Sequence, residues 1–261
     1  MTTTDQSEPV QAGYAVPPVV DHGTWQAARA ELLDREKAHT REGDAIAAAR
    51  RRLPMTEVDA TAPLTGPDGP TTLVELFGDR EELVVYKHMW HAGQGIAGQC
   101  AGCTLTYWAT QEPAYLTARG VSFAVFAQAP YDELEPFVEF MGYPRHWYSV
   151  ADVDDEIVAG DEFGQWTSWL RQGDRVFLTG TLTGRGAETT MPTLALLDLT
   201  VRGRRETWQD SPAGWPEGGQ PGWFWMSDEH YRGTSWTGGR PTVQWTRPGA
   251  LPGTGTHAHA H

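Results

Sequence analysis

Gln99-Cys100-Ala101-Gly102-Cys103-Thr104 is the stretch that decides how this chain is read. Its 2 cysteines are the whole complement of the 261-residue sequence, and two residues separate them. Before them lies the apolar run Leu83-Val84-Val85-Tyr86, too short for a helix and rich in β-formers. After them, Leu105, Trp108, Tyr115 and Leu116 recur at helical spacing between Thr104 and about Ala118. Pro113 is predicted to kink that helix and Gly120 to cap it. The order strand, loop, CxxC, helix puts Cys100 at a helix N-terminus, where backbone amides favour a thiolate. The chemical reading is a redox-active dithiol. Two other readings stand beside it: half of a metal site, with His88 and His91 as further ligands, and two structural thiols that are merely close. No second CxxC exists to complete a zinc site, which favours the redox reading.

Working outward, Val121 to Phe126 is a mostly apolar strand, predicted to be central in the sheet. A helix follows with Leu134, Phe137, Val138 and Met141 on one stripe, ended by Gly142, and Trp147 to Val150 is a short strand. Strand, helix, strand, helix predicts an α/β fold with a parallel core and right-handed crossovers. Beyond residue 160, Gln165–Leu170 and Arg175–Thr181 flank Gln172-Gly173-Asp174, an antiparallel hairpin. Leu194 to Leu199 is a last apolar segment, helix or strand.

Upstream, Gly66-Pro67-Asp68-Gly69-Pro70 marks a turn within a short hairpin, and Leu73, Leu76 and Phe77 form a small apolar cluster. Further back, Thr24 is the expected N-cap of a helical stretch. Trp25, Ala28 and Leu32 share a face there, and Ala45, Ile46, Ala49 and Leu53 continue it. Arg50-Arg51-Arg52 complements the helix dipole in the last turn, and Pro54 stops the run. The expected organisation is a disordered lead (1–21), a helical extension (22–54), the main α/β domain (55–202), a Trp-rich extension (203–250) and a flexible tail (251–261). In the Trp-rich extension, Trp208, Trp215, Trp223, Trp225, Trp236 and Trp245 are read as anchors for a wrapping segment rather than as a substrate wall. His257, His259 and His261 are read as part of a disordered tail rather than as metal ligands.

The sequence holds 34 Asp and Glu against 20 Lys and Arg, a formal charge of -14. That argues against nucleic acid and anionic membrane surfaces, which demand basic patches. The acidity is read as solubility, not as a demand for a cationic partner. No apolar run approaches the roughly 20 residues of a spanning helix, and Met1 to Pro9 lacks an apolar signal core. A cytoplasmic location is expected, where a lone CxxC rests reduced.

Leu83–Tyr86, then Cys100-Ala101-Gly102-Cys103, then Gly120-Val121-Ser122-Phe123-Ala124-Val125, resembles the thioredoxin-like superfamily. The Gly66–Leu76 hairpin and the Leu134–Tyr143 helix are similar to its peroxiredoxin and alkyl-hydroperoxide-reductase branch. From His22 to about Gly249 the chain resembles a bacterial family of thioredoxin-like proteins known by its fold, a domain of unknown function. The residues that carry this are Trp25, Arg29, Leu32-Leu33 and Glu36-Lys37, then Leu64 to Gly69, Val85-Tyr86-Lys87-His88-Met89-Trp90, Cys100–Cys103 and Gly173-Asp174-Arg175-Val176-Phe177. The resemblance implies a central mixed sheet flanked by helices. It implies a thiol–disulfide oxidoreductase or a thiol peroxidase, in which Cys100 attacks and Cys103 resolves. Trp90 and His91 are then candidates for substrate binding or tuning, and Met191-Pro192-Thr193-Leu194 resembles the cis-proline element that faces the dithiol in thioredoxins. The Pro-x-x-x-Thr-x-x-Cys loop of peroxiredoxins is missing, since Ala97 stands three before Cys100. No cofactor is expected on the redox reading. The alternative, after copper-handling thioredoxin-like proteins, is copper or zinc on Cys100, Cys103, His88 and His91. The expected partner is a thiol or disulfide substrate or a small reductant; self-association into a homo-oligomer is left open.

Overall fold

The computed structural model describes residues 14–216 apart from 111, 161, 162 and 207. It begins with one long helix, α1 (His22–Arg50). The cap is Asp21, not Thr24: the Asp21 carboxylate accepts from the Thr24 amide and hydroxyl. An ionised acceptor at the N-cap also complements the helix dipole. None of the α1 side chains is buried, and Trp25 is 53% exposed.

Next come β1 (Thr56–Val58) and the hairpin of β2 (Pro63–Gly66) and β3 (Gly69–Thr72). A 3-10 turn at Val74–Phe77 buries Phe77 and leads into β4 (Glu82–Lys87). The helix after the cysteines is not one kinked rod. It is α2 (Ala101–Trp108), then a separate short turn, α3 (Ala114–Thr117). Pro113 lacks an amide hydrogen and sits just before α3, so it breaks the run instead of bending it. Then follow β5 (Val121–Ala127), α4 (Tyr131–Met141), β6 (Trp147–Ser149) and α5 (Glu156–Ala159). The last elements are the hairpin of β7 (Gln165–Gln172) and β8 (Arg175–Leu182), and α6 (Pro192–Asp198). The segment left open between helix and strand is therefore helical.

The eight strands among the described residues form one sheet in the order β1-β8-β7-β4-β5-β6-β2-β3. β4, β5 and β6 run parallel, with Val85 beside Ala124 and Phe126 beside Tyr148. β7 lies antiparallel on the other side of β4, and β8 antiparallel to β7. This is the thioredoxin-like arrangement: a β-α-β unit carrying the cysteines, joined to a β-β-α unit across its first strand. The parallel core expected from the sequence is thus half of a mixed sheet.

Strand alternation splits the apolar side chains between two cores. Leu83 and Val85 enter one with Phe77, Phe126 and Trp169. Tyr86 enters the other, with Cys100, Cys103, Tyr107, Phe137 and Trp147. The second core is dominated by rings. Tyr107 meets Tyr143 edge-on at 4.5 Å and Trp147 at 5.3 Å between centroids. Each fully buried side chain of this kind contributes about 1.5–3 kcal/mol by area alone. That rigid block fixes α2 against β4 and β5, and so holds the cysteines in place.

Trp208 and Trp215 are the tryptophans of the Trp-rich extension that fall among the described residues. The Arg185 guanidinium stands 3.7 Å from the Trp208 ring centre, and the Arg202 guanidinium 5.6 Å from that of Trp215. Trp223, Trp225, Trp236 and Trp245, the tail histidines and residues 1–13 of the lead lie outside the described residues. No helix among the described residues is long and apolar enough to cross a membrane.

Candidate active site

Cys100 is the N-cap residue of α2, and Cys103 lies in the first turn. The Cys103 amide donates to the Cys100 sulfur at 3.4 Å, so a thiol stands where a serine or aspartate oxygen normally caps a helix. Both cysteines are free thiols, Cys100 7% exposed and Cys103 1%. The Thr104 hydroxyl returns to the Cys100 carbonyl at 2.8 Å and tightens the same turn.

These contacts split the two thiols. Cys100 is lowered to about 6, first by a hydrogen bond with the Cys103 side chain. Burial opposes this, while the Cys103 amide, the charge of His91 and the Gly102 amide assist. The main cause is therefore the partner thiol and not the helix-end amides expected from the sequence. Cys103 moves well up, because it is buried and faces the Cys100 sulfur. The Tyr86 hydroxyl and the Met89 amide ease it a little, the latter donating to its sulfur at 3.3 Å.

The loop from β4 to α2 is held by a buried amide. The Gln99 side chain donates to the carbonyls of His91 (3.1 Å) and Gly95 (3.0 Å) and accepts from the His91 amide (3.0 Å). The His91 ring bonds through Nδ1 to the Gly98 carbonyl at 2.8 Å. His91 is thereby fixed on the Cys100 side of the loop.

His88 goes elsewhere. It is fully buried, with Nδ1 bound to the Met89 carbonyl at 2.8 Å, so Nδ1 carries the proton. Its ring lies 5.1 Å from Trp147 and 5.9 Å from Phe137, and burial lowers its pKa to about 3. Among the described residues no group of three or more His, Cys, Asp or Glu is arranged to hold a metal. The set Cys100, Cys103, His88 and His91 weighed from the sequence is not among such groups, and the Nδ1 atoms of both histidines bond backbone carbonyls.

Pro192 does not form the cis-proline element that the resemblance implied. It is the first residue of α6, and no peptide bond among the described residues is cis. The residue that faces the dithiol from the start of β7 is Gly164. Its amide donates to the Lys87 carbonyl at 2.7 Å, and a Cβ built there would stand 3.9 Å from the Cys103 sulfur. Its φ of +79° is a further reason for glycine. Trp90 packs against the core that contains both cysteines, and its indole N–H donates to Glu133 at 2.9 Å.

Tyr86, Gln99, Glu133 and Gly164 were missed in the sequence. Tyr86 had a signal, since strand parity puts it on the same face as His88. Gln99 adjoins Cys100, but nothing in its type announces a loop clamp. Glu133 and Gly164 come from distant chain positions and had none.

Solved structures with a similar arrangement include a chain from Chlorobium tepidum assigned as a thiol:disulfide interchange protein, DsbE. It shares 15% identity over 55% of this chain and 98% of its own, with a TM-score of 0.34. A secreted Mycobacterium tuberculosis disulfide oxidoreductase homologous to E. coli DsbE gives 15% over 54% and 100%, TM-score 0.32. Apo Sco1 from Thermus thermophilus gives 17% over 56% and 94%, TM-score 0.32. At these scores the likenesses carry no conclusion about chemistry, and the fold assignment rests on the strand order above. Comparison with curated proteins gives no match. A family model does match, over residues 14–231. The chain belongs to that family, the bacterial proteins of unknown function DUF899.

Proposed function

We propose that this protein is a dithiol–disulfide oxidoreductase in which Cys100 attacks and Cys103 resolves. The observation that carries the proposal is the Cys103 amide and side chain aimed at the Cys100 sulfur, which keep Cys100 a thiolate near neutral pH while Cys103 stays a thiol. Cys100 is also the more exposed of the two. The Cys100 thiolate attacks one sulfur of a substrate disulfide, and the other sulfur leaves as a thiolate. Cys103 gives up its proton, attacks the Cys100 sulfur of the mixed disulfide and releases the second thiol. The substrate gains two electrons, the protein is left with a Cys100–Cys103 disulfide, and a thiol reductant restores it. A cytoplasmic location is part of the proposal, since there the dithiol rests reduced.

Peroxide reduction is the weaker reading, because the activating loop of peroxiredoxins has no counterpart before Cys100. Metal binding is weaker too, since no group of three or more His, Cys, Asp or Glu among the described residues is arranged to hold a metal. The test is a single turnover of the pre-reduced protein with 2-hydroxyethyl disulfide. Wild type should release two thiols per protein. Cys103→Ser should stop at a mixed disulfide on Cys100, and Cys100→Ser should not react. Equal trapping on either cysteine would overturn the assignment.

A further inference from the structure

A cavity of about 380 Å³ opens between the loop after β4 and the first turns of α4. Trp90, Phe137, Ile96 and Pro136 give it apolar walls, two loop glycines open its mouth, and Glu133 stands in it. It adjoins the dithiol through the chain itself. Trp90 follows Met89, whose amide touches the Cys103 sulfur, and Ile96 packs on the core that contains Cys100.

The polar groups here are one-sided. One Glu133 oxygen, Oε1, accepts from both the Trp90 indole and the Gly93 amide, at 2.9 and 3.0 Å. Both donors are neutral, and they hold the carboxyl below the usual carboxylate range. Oε2 takes no hydrogen bond among the described residues, and no Lys or Arg lines the cavity. The carboxylate is thus ionised, fixed in direction, and without a countercharge. The Trp90 and Phe137 rings meet edge to face at 5.5 Å. Behind them the His88 ring lies 6.5 and 5.9 Å from the two centroids, its Nε2 buried and unbonded. A cavity that holds an unpaired carboxylate between aromatic walls suits a cation better than an anion.

We infer that this cavity binds a positively charged group, an ammonium or guanidinium, carried by the disulfide or thiol that exchanges with Cys100. The inference rests on the dithiol reading for its chemistry, and on the pocket alone for its charge. The net charge of -14 acts in the same direction at long range, by raising the local concentration of cations.

Two measurements test it. The first compares single-turnover rates of the reduced full chain with cystamine, 2-hydroxyethyl disulfide and 3,3′-dithiodipropionate, which are cationic, neutral and anionic. Glu133→Gln keeps an oxygen for Trp90 and Gly93 but removes the charge. It should lower the ratio of cystamine to hydroxyethyl disulfide rates by about three- to ten-fold. An unchanged ratio overturns the pocket assignment. The second needs no redox chemistry: the indole N–H signal of Trp90 is followed by NMR during titration with phenethylammonium and with phenethyl alcohol. The ammonium should shift that signal in wild type and much less in Glu133→Gln. Equal shifts from ammonium and alcohol overturn the assignment. A wild type that reduces none of the three disulfides overturns the dithiol chemistry instead, and the NMR titration then decides the pocket separately.

Discussion

The amide of Cys103 points at the sulfur of Cys100, 3.4 Å away, and the Cys103 thiol is hydrogen-bonded to that same sulfur. One residue therefore supplies two donors to the other. The pair separates into a thiolate and a thiol although both are buried, because the proton that Cys103 keeps is the one that stabilises Cys100.

Alkylation by a neutral reagent follows the thiolate, so its rate in the reduced protein should rise with a midpoint near 6, assigned to Cys100. The site of reaction is read by mass spectrometry. A midpoint at or above the ordinary thiol value of about 8.5 would mean that the Cys103 donors do not act as described.

Stability should follow the same groups. Cys100 is lowered on folding, so its contribution is lost as pH falls through about 6 and is complete above the unfolded thiol value. Cys103 is raised, so its contribution is present below that value and is lost as pH climbs past it. The denaturation midpoint of the reduced protein should climb from pH 6 to 8 and fall beyond 9. His88 and His146, kept neutral by burial and lowered to about 3 and about 4, add a separate rise from acid pH up to about 6.5. Cys100→Ser should keep the histidine rise and lose the later one; a flat difference between the two proteins would sink the argument.

His91→Ala removes a nearby charge and the ring that bonds the Gly98 carbonyl. It should move the Cys100 midpoint upward and speed hydrogen exchange in the loop before α2. Deletion of residues 254–261 is the control and should leave both unchanged. The reverse pattern would transfer the role to the tail.

Trp147 is fully buried, with its ring centre 5.1 Å from His88, 5.3 Å from Tyr107 and 5.7 Å from Tyr143. Trp147→Ala should cost about 3–5 kcal/mol in chemical denaturation. The loss should also weaken Cys100 reactivity, because the ring block seats α2. A loss below about 1 kcal/mol would show that the core closes over the gap.

Asp21→Ala deletes the cap of α1, worth about 1 kcal/mol to a helix. Since α1 buries none of its side chains, the cost should be local. Amide exchange in the first turns of α1 should quicken, while the global unfolding midpoint stays within about 0.5 kcal/mol of wild type. An equal drop in both would mean that α1 unfolds together with the sheet.

The sequence by itself determined most of the elements and the placing of the cysteine pair after a strand and at a helix start. Apolar runs such as Leu83–Tyr86 and Val121–Phe126, Gly173 in its turn and the spacing of Cys100 and Cys103 act locally, through propensity, φ preference and helix geometry, so they can be read in order along the chain. The resemblance added the mixed sheet. Tertiary structure decided what depends on contacts between distant residues. Thr24 had the right type for a cap, yet Asp21 won because its carboxylate reaches two groups of Thr24. Pro192 had the right neighbours for a residue facing the dithiol, but β7 starts just after Gly164, and that start sets which residue meets Cys103. His88 and His91 were both candidate metal ligands on spacing, and His91 alone the candidate for tuning the dithiol. Strand parity sent His88 into a wall of rings, and the Gln99 clamp kept His91 by the loop. Glu133 reaches Trp90 only because α4 packs beside the loop, 43 residues on in the chain. No local pattern encodes such a meeting, since it is fixed by the packing of one element on another.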